Sequence, residues 1–351
     1  MKKSKRILII RPDRIGDVIL STPLIREIKR SFPDSFLAVM VNPYTKDVLL
    51  NNPNINQIII DNSKDLSKKY FFQQVKLIRS YKFDIAMMLL PTERHSWMLF
   101  LAGIPNRIGV GTKLYQVLTF TKSVSRNKYI PLRHEADYCM DFGRKIGITP
   151  ISLDTEIFIT EEEKKEFISI HQEEFKFFNS ILNRKIIGIH PGSNKSAPNW
   201  KIENYIHLAK LLLDNPNNII VLTGNNDEIH FAPKFKSLNS SRIINFIGKL
   251  SLRELCILIS FFDVLVSSST GPMHIAAGLK IPTVSLFCTL TACSPTLWGP
   301  LGNKSKIMTP PLDFCNNFCK DDPHNCDFND SISINEVVNN INILINEQEK
   351  L

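Results

Sequence analysis

The stretch Val266-Ser-Ser-Ser-Thr-Gly-Pro-Met-His-Ile-Ala-Ala-Gly278 decides the fold of this 351-residue chain. The apolar residues that lead into it from Val264 are typical of a buried parallel strand. The polar residues that follow predict the cap of a helix that Pro272 begins. A strand that leads directly into the bare N–H groups of a helix makes an anion site, and His274 lies in the first turn of this helix. An ordinary, well-capped strand-to-helix turn is the alternative.

The rest of the chain alternates between apolar runs of strand type and amphipathic runs of helical spacing. This alternation predicts parallel sheets with crossover helices, and it occurs twice. We therefore predict two Rossmann-like domains, over 1–160 and 186–351, with a charged linker helix over 161–185. The predicted strands cover 7–10, 36–41, 57–60, 84–90, 186–190, 219–223, 242–246, 262–266 and 283–287. The last predicted element is a helix over 332–345.

The composition, with 43% hydrophobic and 22% charged residues, is that of a globular protein. No segment reaches the roughly 18 uncharged apolar residues of a membrane span, and the basic N-terminus lacks the apolar core of a signal peptide. We therefore expect a cytoplasmic protein.

Charge is spread unevenly along the chain. Residues 1–160 hold 25 Lys and Arg against 14 Asp and Glu, whereas residues 161–351 hold 18 against 20. The basic half predicts contact with an anionic partner, such as the peripheral, salt-sensitive contact of a protein with an acidic membrane surface. A solvated basic surface is the alternative. No nucleic-acid-binding motif is visible, so we expect no nucleic acid.

The seven cysteines are an odd number, which predicts reduced thiols. Three of them, Cys315, Cys319 and Cys326, lie near His324. Three Cys and one His can hold a tetrahedral metal ion, but these spacings match no standard zinc pattern. We therefore expect no metal and a loop of buried thiols, with a metal site as the alternative.

Three predicted strand ends of the second domain carry groups that suit a diphosphate. The candidates are Ser193, Asn194, Lys195, Thr223, Gly224, Ser269, Thr270, Gly271, Pro272 and His274. Because the carboxyl ends of parallel strands meet at one edge of a sheet, we expect these residues to converge. Backbone donors, side-chain donors and the Lys195 cation are the groups that a diphosphate needs.

In the first domain, the loop Arg11-Pro-Asp-Arg-Ile-Gly-Asp17 concentrates charge at a strand end. Asp13 and Asp17 are candidate general bases, and Gly16 permits close approach of a substrate. Ion pairing with Arg11 and Arg14, together with N-capping by Asp17, is the alternative. The candidate acceptor contacts are Arg11, Asp13, Arg14, Arg94, His95 and Arg107. The Asp-x-Asp pattern of a metal-bound nucleotide sugar is absent from the sequence.

Six short motifs, in order over nearly the whole chain, resemble a known family. They are Arg11–Pro23, Ala102–Gly109, His190–Ser193, Leu250–Leu255, Ser269–Ala277 and Ser294–Gly302. Together they resemble the ADP-heptose:lipopolysaccharide heptosyltransferase family, glycosyltransferase family 9. The chain departs from the pattern at Ser269, where many members have Asp, and at Pro198, where many have a basic residue that Lys195 would replace.

The resemblance implies an α/β fold of the GT-B class, two facing Rossmann-like domains with parallel sheets and an interdomain cleft. It implies an inverting, metal-independent and cofactor-free transfer of heptose from ADP-heptose to a lipopolysaccharide or lipooligosaccharide core, a glycolipid acceptor, at the cytoplasmic face of the inner membrane. By the same matching, Asp17 falls on the catalytic base. Diphosphate contacts fall on Ser193, Thr270, Gly271 and His274, a ribose contact on Glu228 and the adenine pocket on Leu250. Two alternatives stay open: another nucleotide sugar for a different surface glycan, or a catalytically silent sugar-nucleotide-binding protein.

Overall fold

The computed structural model describes residues 4–125, 130–180, 183–311, 313–314 and 326–348. They form two compact units, Met1–Phe158 and Ile159–Leu351, and each unit has its own six-stranded parallel sheet. The prediction of an α/β chain with two parallel sheets is therefore confirmed.

The first unit alternates strands with helices along the chain. Its strands are β1 (Arg6–Ile10), β2 (Phe36–Val41), β3 (Gln57–Ile60), β4 (Ile85–Met88), β5 (Asn106–Val110) and β6 (Lys122–Val124). Its helices are α1 (Ile15–Ile19), α2 (Thr22–Ser31), α3 (Lys68–Ser80), α4 (Glu93–Leu101), α5 (Leu114–Leu118) and α6 (Glu135–Lys145), with a 3-10 helix over Lys46–Leu49. The sheet order is β3-β2-β1-β4-β5-β6. The order reverses between β1 and β4, so the loops after these strands flank the crevice where open α/β sheets bind ligands.

The second unit repeats this arrangement. Its strands are β7 (Lys185–His190), β8 (Asn218–Leu222), β9 (Ile243–Asn245), β10 (Val264–Ser268), β11 (Thr283–Leu286) and β12 (Ser305–Met308). Its α-helices are α7 (Glu161–Ile170), α8 (Gln172–Ser180), α9 (Ile202–Leu212), α10 (Leu252–Ile259), α11 (Gly271–Gly278), α12 (Pro295–Trp298) and α13 (Ile334–Gln348). Its 3-10 helices cover Asn226–Leu238, Thr291–Cys293 and Phe328–Asp330. The order β12-β11-β10-β7-β8-β9 places the reversal between β7 and β10.

The central strands match the sequence pattern because both of their faces are buried. Residues 7–10 and 264–268 are all buried, which is why they are nearly uninterrupted apolar runs. All nine predicted strands are present, with ends within two residues of the prediction. The sequence did not predict β5, β6 and β12. Arg107 and Gly109 interrupt the apolar run of β5, and β6 and β12 lie at sheet edges and are partly exposed.

The segment predicted as one linker helix, 161–185, forms two helices, α7 and α8, with the break at His171. Both pack on the second unit. The Phe167 ring lies 6.5 Å from that of Phe246, and the Phe175 ring lies 4.9 Å from that of Phe261, measured between centroids. The aromatic residues among the charges of this segment therefore make it part of the second core.

Candidate functional site

Three carboxylates surround the buried guanidinium of Arg11, two from the segment that follows β1 and one from the start of α6. The Arg11 side chain is 3% exposed, and its Nη2 lies 2.6 Å from Asp17 Oδ1 and 3.1 Å from Glu135 Oε1. Its Nε lies 3.0 Å from Asp13 Oδ1. Burial opposes the charge of Arg11, but Cys139, Asp13 and Asp17 outweigh it and raise the pKa above its ordinary value. Arg11 therefore stays charged and acts on the carboxylates from inside the protein.

Asp17 lies in the first turn of α1, and its side chain is 16% exposed. Arg11 fixes the direction of one of its oxygens. The N-cap of α1 is Arg14, which is exposed and makes no side-chain cap bond. The alternative that Asp17 is an N-cap is therefore wrong, whereas its predicted ion pair with Arg11 is present. An oriented and partly accessible carboxylate at this edge of the sheet can accept a proton from a bound hydroxyl.

Two side chains that follow β2 hold this loop from the neighbouring strand. Asn42 Nδ2 donates to the carbonyl of Pro12, and the Tyr44 hydroxyl donates to the carbonyl of Asp13 at 2.7 Å. Neither residue is predicted from the sequence. Their only signal is that polar side chains follow a predicted strand next to β1 in the sheet.

The candidates Arg94 and His95 form a second cluster, centred on Asp61. The Asp61 carboxylate is fully buried and accepts from Arg94 Nη1 at 3.0 Å and from His95 Nε2 at 2.9 Å. The other ring nitrogen of His95 lies 2.7 Å from Thr92 Oγ1. The His95 side chain is buried, whereas 18% of the Arg94 side chain is exposed.

Arg107 has a different environment from that predicted for an acceptor contact. It lies on β5 and is buried, and burial lowers the pKa of its guanidinium. Nε donates to the carbonyl of Thr119 at 2.9 Å, and Nη1 donates to the carbonyl of Ile104. These bonds hold the Arg107 guanidinium in the interior of the first unit.

In the second unit, helix α11 follows β10 directly, as the opening stretch of sequence predicts. Its N-cap Thr270 is extended, but the Thr270 hydroxyl donates to the carbonyl of Ser268 at 3.3 Å and does not cap the helix. Pro272 lies in the first turn and His274 is 5% exposed. The Thr270 carbonyl accepts from the N–H groups of Met273 at 3.1 Å and of His274 at 3.5 Å, so the feature of this turn that suits an anion is the positive end of the α11 dipole.

Glu228 lies where the loop after β7 meets the loop after β8. It is 6% exposed, and backbone N–H groups of Asn225, at 2.9 Å, and of Asn194 bond to its carboxyl group. Burial raises the pKa of Glu228 above its ordinary value, against the effect of these bonds. His190 Nε2 lies 3.8 Å from the carboxyl group and Nδ1 lies 3.0 Å from Thr223 Oγ1. Burial lowers the pKa of His190 to about 4, so at neutral pH the imidazole is uncharged and makes no ion pair.

Two glycines make room for Glu228. A Cβ at Gly192 would lie 1.7 Å from Glu228 Oε1, and one at Gly224 would lie 3.1 Å from Oε2. The loop that contains Gly192 continues through Asn194 and Lys195, both in the left-handed region at φ 44° and 54°. Strained backbone of this kind concentrates at ligand sites. The structure thus brings Asn194 and Gly224, one predicted residue from each loop, together at one carboxyl group.

The remaining donor candidates lie near these loops. Ser193 is half-buried, and its carbonyl accepts from the Ser196 N–H at 2.8 Å. Gly248 N–H donates to the carbonyl of Gly224 at 2.9 Å, which ties the loop before Leu250 to the loop after β8. Leu250 itself is partly buried and precedes α10.

Asn199, which is not predicted from the sequence, joins the loop after β7 to the end of β10. Its Oδ1 accepts from the Tyr205 hydroxyl at 2.8 Å and from Ser268 Oγ at 2.5 Å. Its Nδ2 donates to the carbonyl of Pro191 at 2.7 Å. This amide therefore fixes the distance between two predicted donor loops, and nothing in the sequence around it indicates that role.

The possible metal cluster lies mostly outside the described residues, which include Cys326 but not Cys315, Cys319 or His324. Cys326 packs against the core of the second unit. Among the residues that the structure describes, no three His, Cys, Asp or Glu side chains are grouped so that they could hold a metal ion. Within the same residues, no helix has the length and apolar character needed to span a membrane.

Comparison with known proteins adds independent information. Residues 72–325 match the family model described as glycosyltransferase family 9 (heptosyltransferase). The lipopolysaccharide core heptosyltransferase OpsX of Haemophilus influenzae is 26% identical over 87% of this chain and 84% of its own length. A crystal structure of a family 9 glycosyl transferase from Veillonella parvula is 22% identical, with a TM-score of 0.80 over 99% of both chains. The structure of Escherichia coli ADP-heptose lps heptosyltransferase II is 21% identical, with a TM-score of 0.70 over 98% of this chain and 99% of that one.

Proposed function

Because the chain belongs to glycosyltransferase family 9 and is a glycosyltransferase, we propose that it transfers heptose from ADP-heptose to a lipopolysaccharide or lipooligosaccharide core. The names of OpsX and of the E. coli enzyme support this choice of donor and acceptor. The observation that carries the proposal is the Asp17 carboxylate, which Arg11 orients at 2.6 Å beside the reversal point of the first sheet.

In the proposed reaction, Asp17 removes the proton from an acceptor hydroxyl as that oxygen attacks the anomeric carbon of the sugar. The new bond joins the acceptor oxygen to this carbon, and the bond from the carbon to the diphosphate oxygen breaks, so that ADP leaves from the opposite face. The configuration at the anomeric carbon is therefore inverted. Arg11 positions Asp17 from inside the protein and is not a direct acceptor contact in this proposal.

The donor site that we propose lies in the second unit. The first turn of α11, with Thr270, Gly271 and His274, would hold the diphosphate, and Lys195 would add a cation. Glu228 would face the ribose. The leaving diphosphate would thus be stabilised by protein donors, and we expect transfer to continue when divalent metal is removed with EDTA.

Thermal shift with a panel of nucleotides tests the donor. ADP at about a hundred times its Kd should stabilise the protein by about 2.7 kcal/mol, and UDP and GDP should do so less. Gly271→Val should abolish this shift and leave the melting temperature of the free protein close to that of the wild type. A stronger shift with UDP or GDP would indicate a different nucleotide sugar.

The alternative of a catalytically silent binding protein has a separate test. ADP-heptose and a core acceptor are incubated with the enzyme, and the mass of the acceptor is measured. We expect one added heptose. Binding of ADP without any added mass would favour the silent protein.

We also propose that the enzyme meets its glycolipid acceptor at the cytoplasmic face of the inner membrane as a peripheral protein. The excess of Lys and Arg in residues 1–160 supports this contact, since anionic lipid attracts basic protein surfaces.

A further inference from the structure

The short helix α5 buries a polar residue and exposes its apolar residues, which is the reverse of the usual arrangement. Its polar residue Gln116 is 1% exposed, whereas Leu114, Val117 and Leu118 are 74%, 60% and 52% exposed. Phe120, two residues after the helix, is 74% exposed. A helix on the surface of a globular protein normally presents its polar face to water. We call the exposed side chains of Leu114, Val117, Leu118 and Phe120 the α5 patch.

Specific bonds hold α5 in this orientation. Gln116 Nε2 donates to the carbonyl of Val110 at 3.1 Å, and Gln116 Oε1 accepts from the Lys113 N–H at 3.0 Å. A Cβ at Gly109 would lie 2.7 Å from Gln116 Nε2, so the glycine makes room for this side chain. Arg107 bonds to the carbonyl of Thr119, just after the helix. The interior of the first unit therefore fixes the apolar side of α5 outward.

Aromatic rings extend the α5 patch along α4. The Phe120 ring lies 6.3 Å from that of Phe100, which lies 6.0 Å from the ring of Trp97. Trp97 lines an open hollow of about 690 Å³ with Leu101, which is 38% exposed, and Phe71. Contiguous apolar surface of this kind marks an interaction site, and Trp, whose apolar ring carries a polar N–H, favours the membrane–water interface.

Two exposed lysines flank the α5 patch itself, whereas the hollow beyond it is lined by Glu93 as well as Arg94. Between residues 107 and 125 the exposed charged residues are Lys113 and Lys122, and the sequence there contains no Asp or Glu. These two lysines lie at the two ends of the α5 region. A face with apolar side chains at its centre and cations at its edge is complementary to anionic lipid, which offers an acyl layer beneath negative headgroups.

We propose that the α5 patch inserts into the interfacial layer of a membrane that contains anionic lipid, while Lys113 and Lys122 contact the headgroups. The proposal rests on the proposed function, since a glycolipid acceptor lies in such a membrane, and it names the element that docks. A symmetric contact between two copies of this face is disfavoured because it would bring like charges together. Contact made through charge alone would disappear at high salt, whereas an inserted apolar patch retains binding there.

Co-flotation of the full chain with phosphatidylethanolamine–phosphatidylglycerol vesicles tests the docking element. At high salt, the double variant Leu118→Ser, Phe120→Ser should bind at least about tenfold more weakly than the wild type. Ile151→Ser is the matched control, because Ile151 is an equally exposed apolar residue of the first unit at 75%, and it should bind like the wild type. At low salt, Lys113→Gln and Lys122→Gln should each weaken binding about fivefold. Equal binding by the wild type and the double variant would overturn the proposal.

Two further measurements separate docking from the proposed function. The double variant should transfer sugar at the wild-type rate to an acceptor core released from its lipid, and more slowly to the same core in vesicles. Loss of transfer to the lipid-free core would overturn the proposal, since the patch would then belong to the acceptor site. A wild-type dimer that the double variant dissociates, without vesicle binding, would overturn it in favour of a contact between copies. Patch-dependent flotation by an enzyme that transfers no heptose would support docking and refute the proposed function.

Discussion

Asp17 Oδ1 and Arg11 Nη2 are 2.6 Å apart, and the same guanidinium nitrogen lies 3.1 Å from Glu135 Oε1. One buried cation thus orients the proposed catalytic base and ties the loop after β1 to α6. This arrangement explains why Arg11 is in the interior although it belongs to a polar loop. It also makes the loop sensitive to the loss of a single charge.

Arg11→Met should lower the free energy of unfolding by about 3–5 kcal/mol, because it leaves buried carboxylates without their cation. Denaturation with urea measures the change. Arg14→Met is the matched control, since Arg14 is an exposed residue of the same loop, and it should change the free energy by no more than about 0.5 kcal/mol. Equal effects of the two substitutions would show that Arg11 does not hold the loop.

His190 should make stability depend on pH. Its pKa is about 4 in the folded protein and near 6.5 in the unfolded chain. Between these values the unfolded chain binds a proton that the folded protein does not, so the free energy of unfolding falls as pH falls from 6.5 to 4. This part of the stability is fully present above pH 6.5, and about 3 kcal/mol of the free energy of unfolding is lost as the pH falls from 6.5 to 4.

The measurement compares the wild type with His190→Gln at pH 7 and pH 4, since Gln does not titrate. Glu228 remains in both proteins, so its raised pKa, which acts in the opposite direction, cancels in the difference. The wild type should lose about 3 kcal/mol more than the variant. Parallel pH profiles would mean that His190 is not held neutral by burial.

We expect the effects of substitutions at Gly192 and Glu228 on the free energy of unfolding to be strongly coupled. Gly192→Ala should cost about 1–3 kcal/mol, because the new Cβ would need space that the Glu228 carboxyl group occupies. In a Glu228→Ala protein the same substitution should cost almost nothing. A double-mutant cycle of unfolding free energies measures the difference. Additive effects would show that Gly192 serves a purpose other than making room for Glu228.

Much of the fold could be predicted from the sequence, and the exceptions have physical causes. Strands with two buried faces, such as β1 and β10, must be apolar throughout, so their sequences are distinctive. Strand β5 was missed because Arg107 and Gly109 interrupt its apolar pattern. Arg107 bonds to the carbonyl of Thr119, just after α5, and Gly109 makes room for a side chain of α5. No periodic pattern in the sequence indicates either role. The bond to Thr119 holds Arg107 in the interior, although we expected Arg107 to contact the acceptor.

Part of the candidate site was also predictable from the sequence. The positions of Asp17, Ser193 and Thr270 follow from the rule that strand ends bind ligands. The contacts that fix them come from distant parts of the chain, as with Glu135 against Arg11 and Asn199 against Ser268. Sequence spacing carries no information on such pairs, since they form only when the sheet brings their strands together.

The most direct test of the proposed reaction is the rate of heptose transfer from ADP-heptose by Asp17→Asn, with the Kd for ADP measured on the same protein. Asn keeps the size of Asp17 but cannot accept the proton, and a general base typically contributes about 10² to 10⁴ in rate. We predict that turnover falls by that factor while ADP binding, which we assign to the second unit, stays unchanged. Turnover close to that of the wild type would contradict the account and leave Asp13 as the next candidate base.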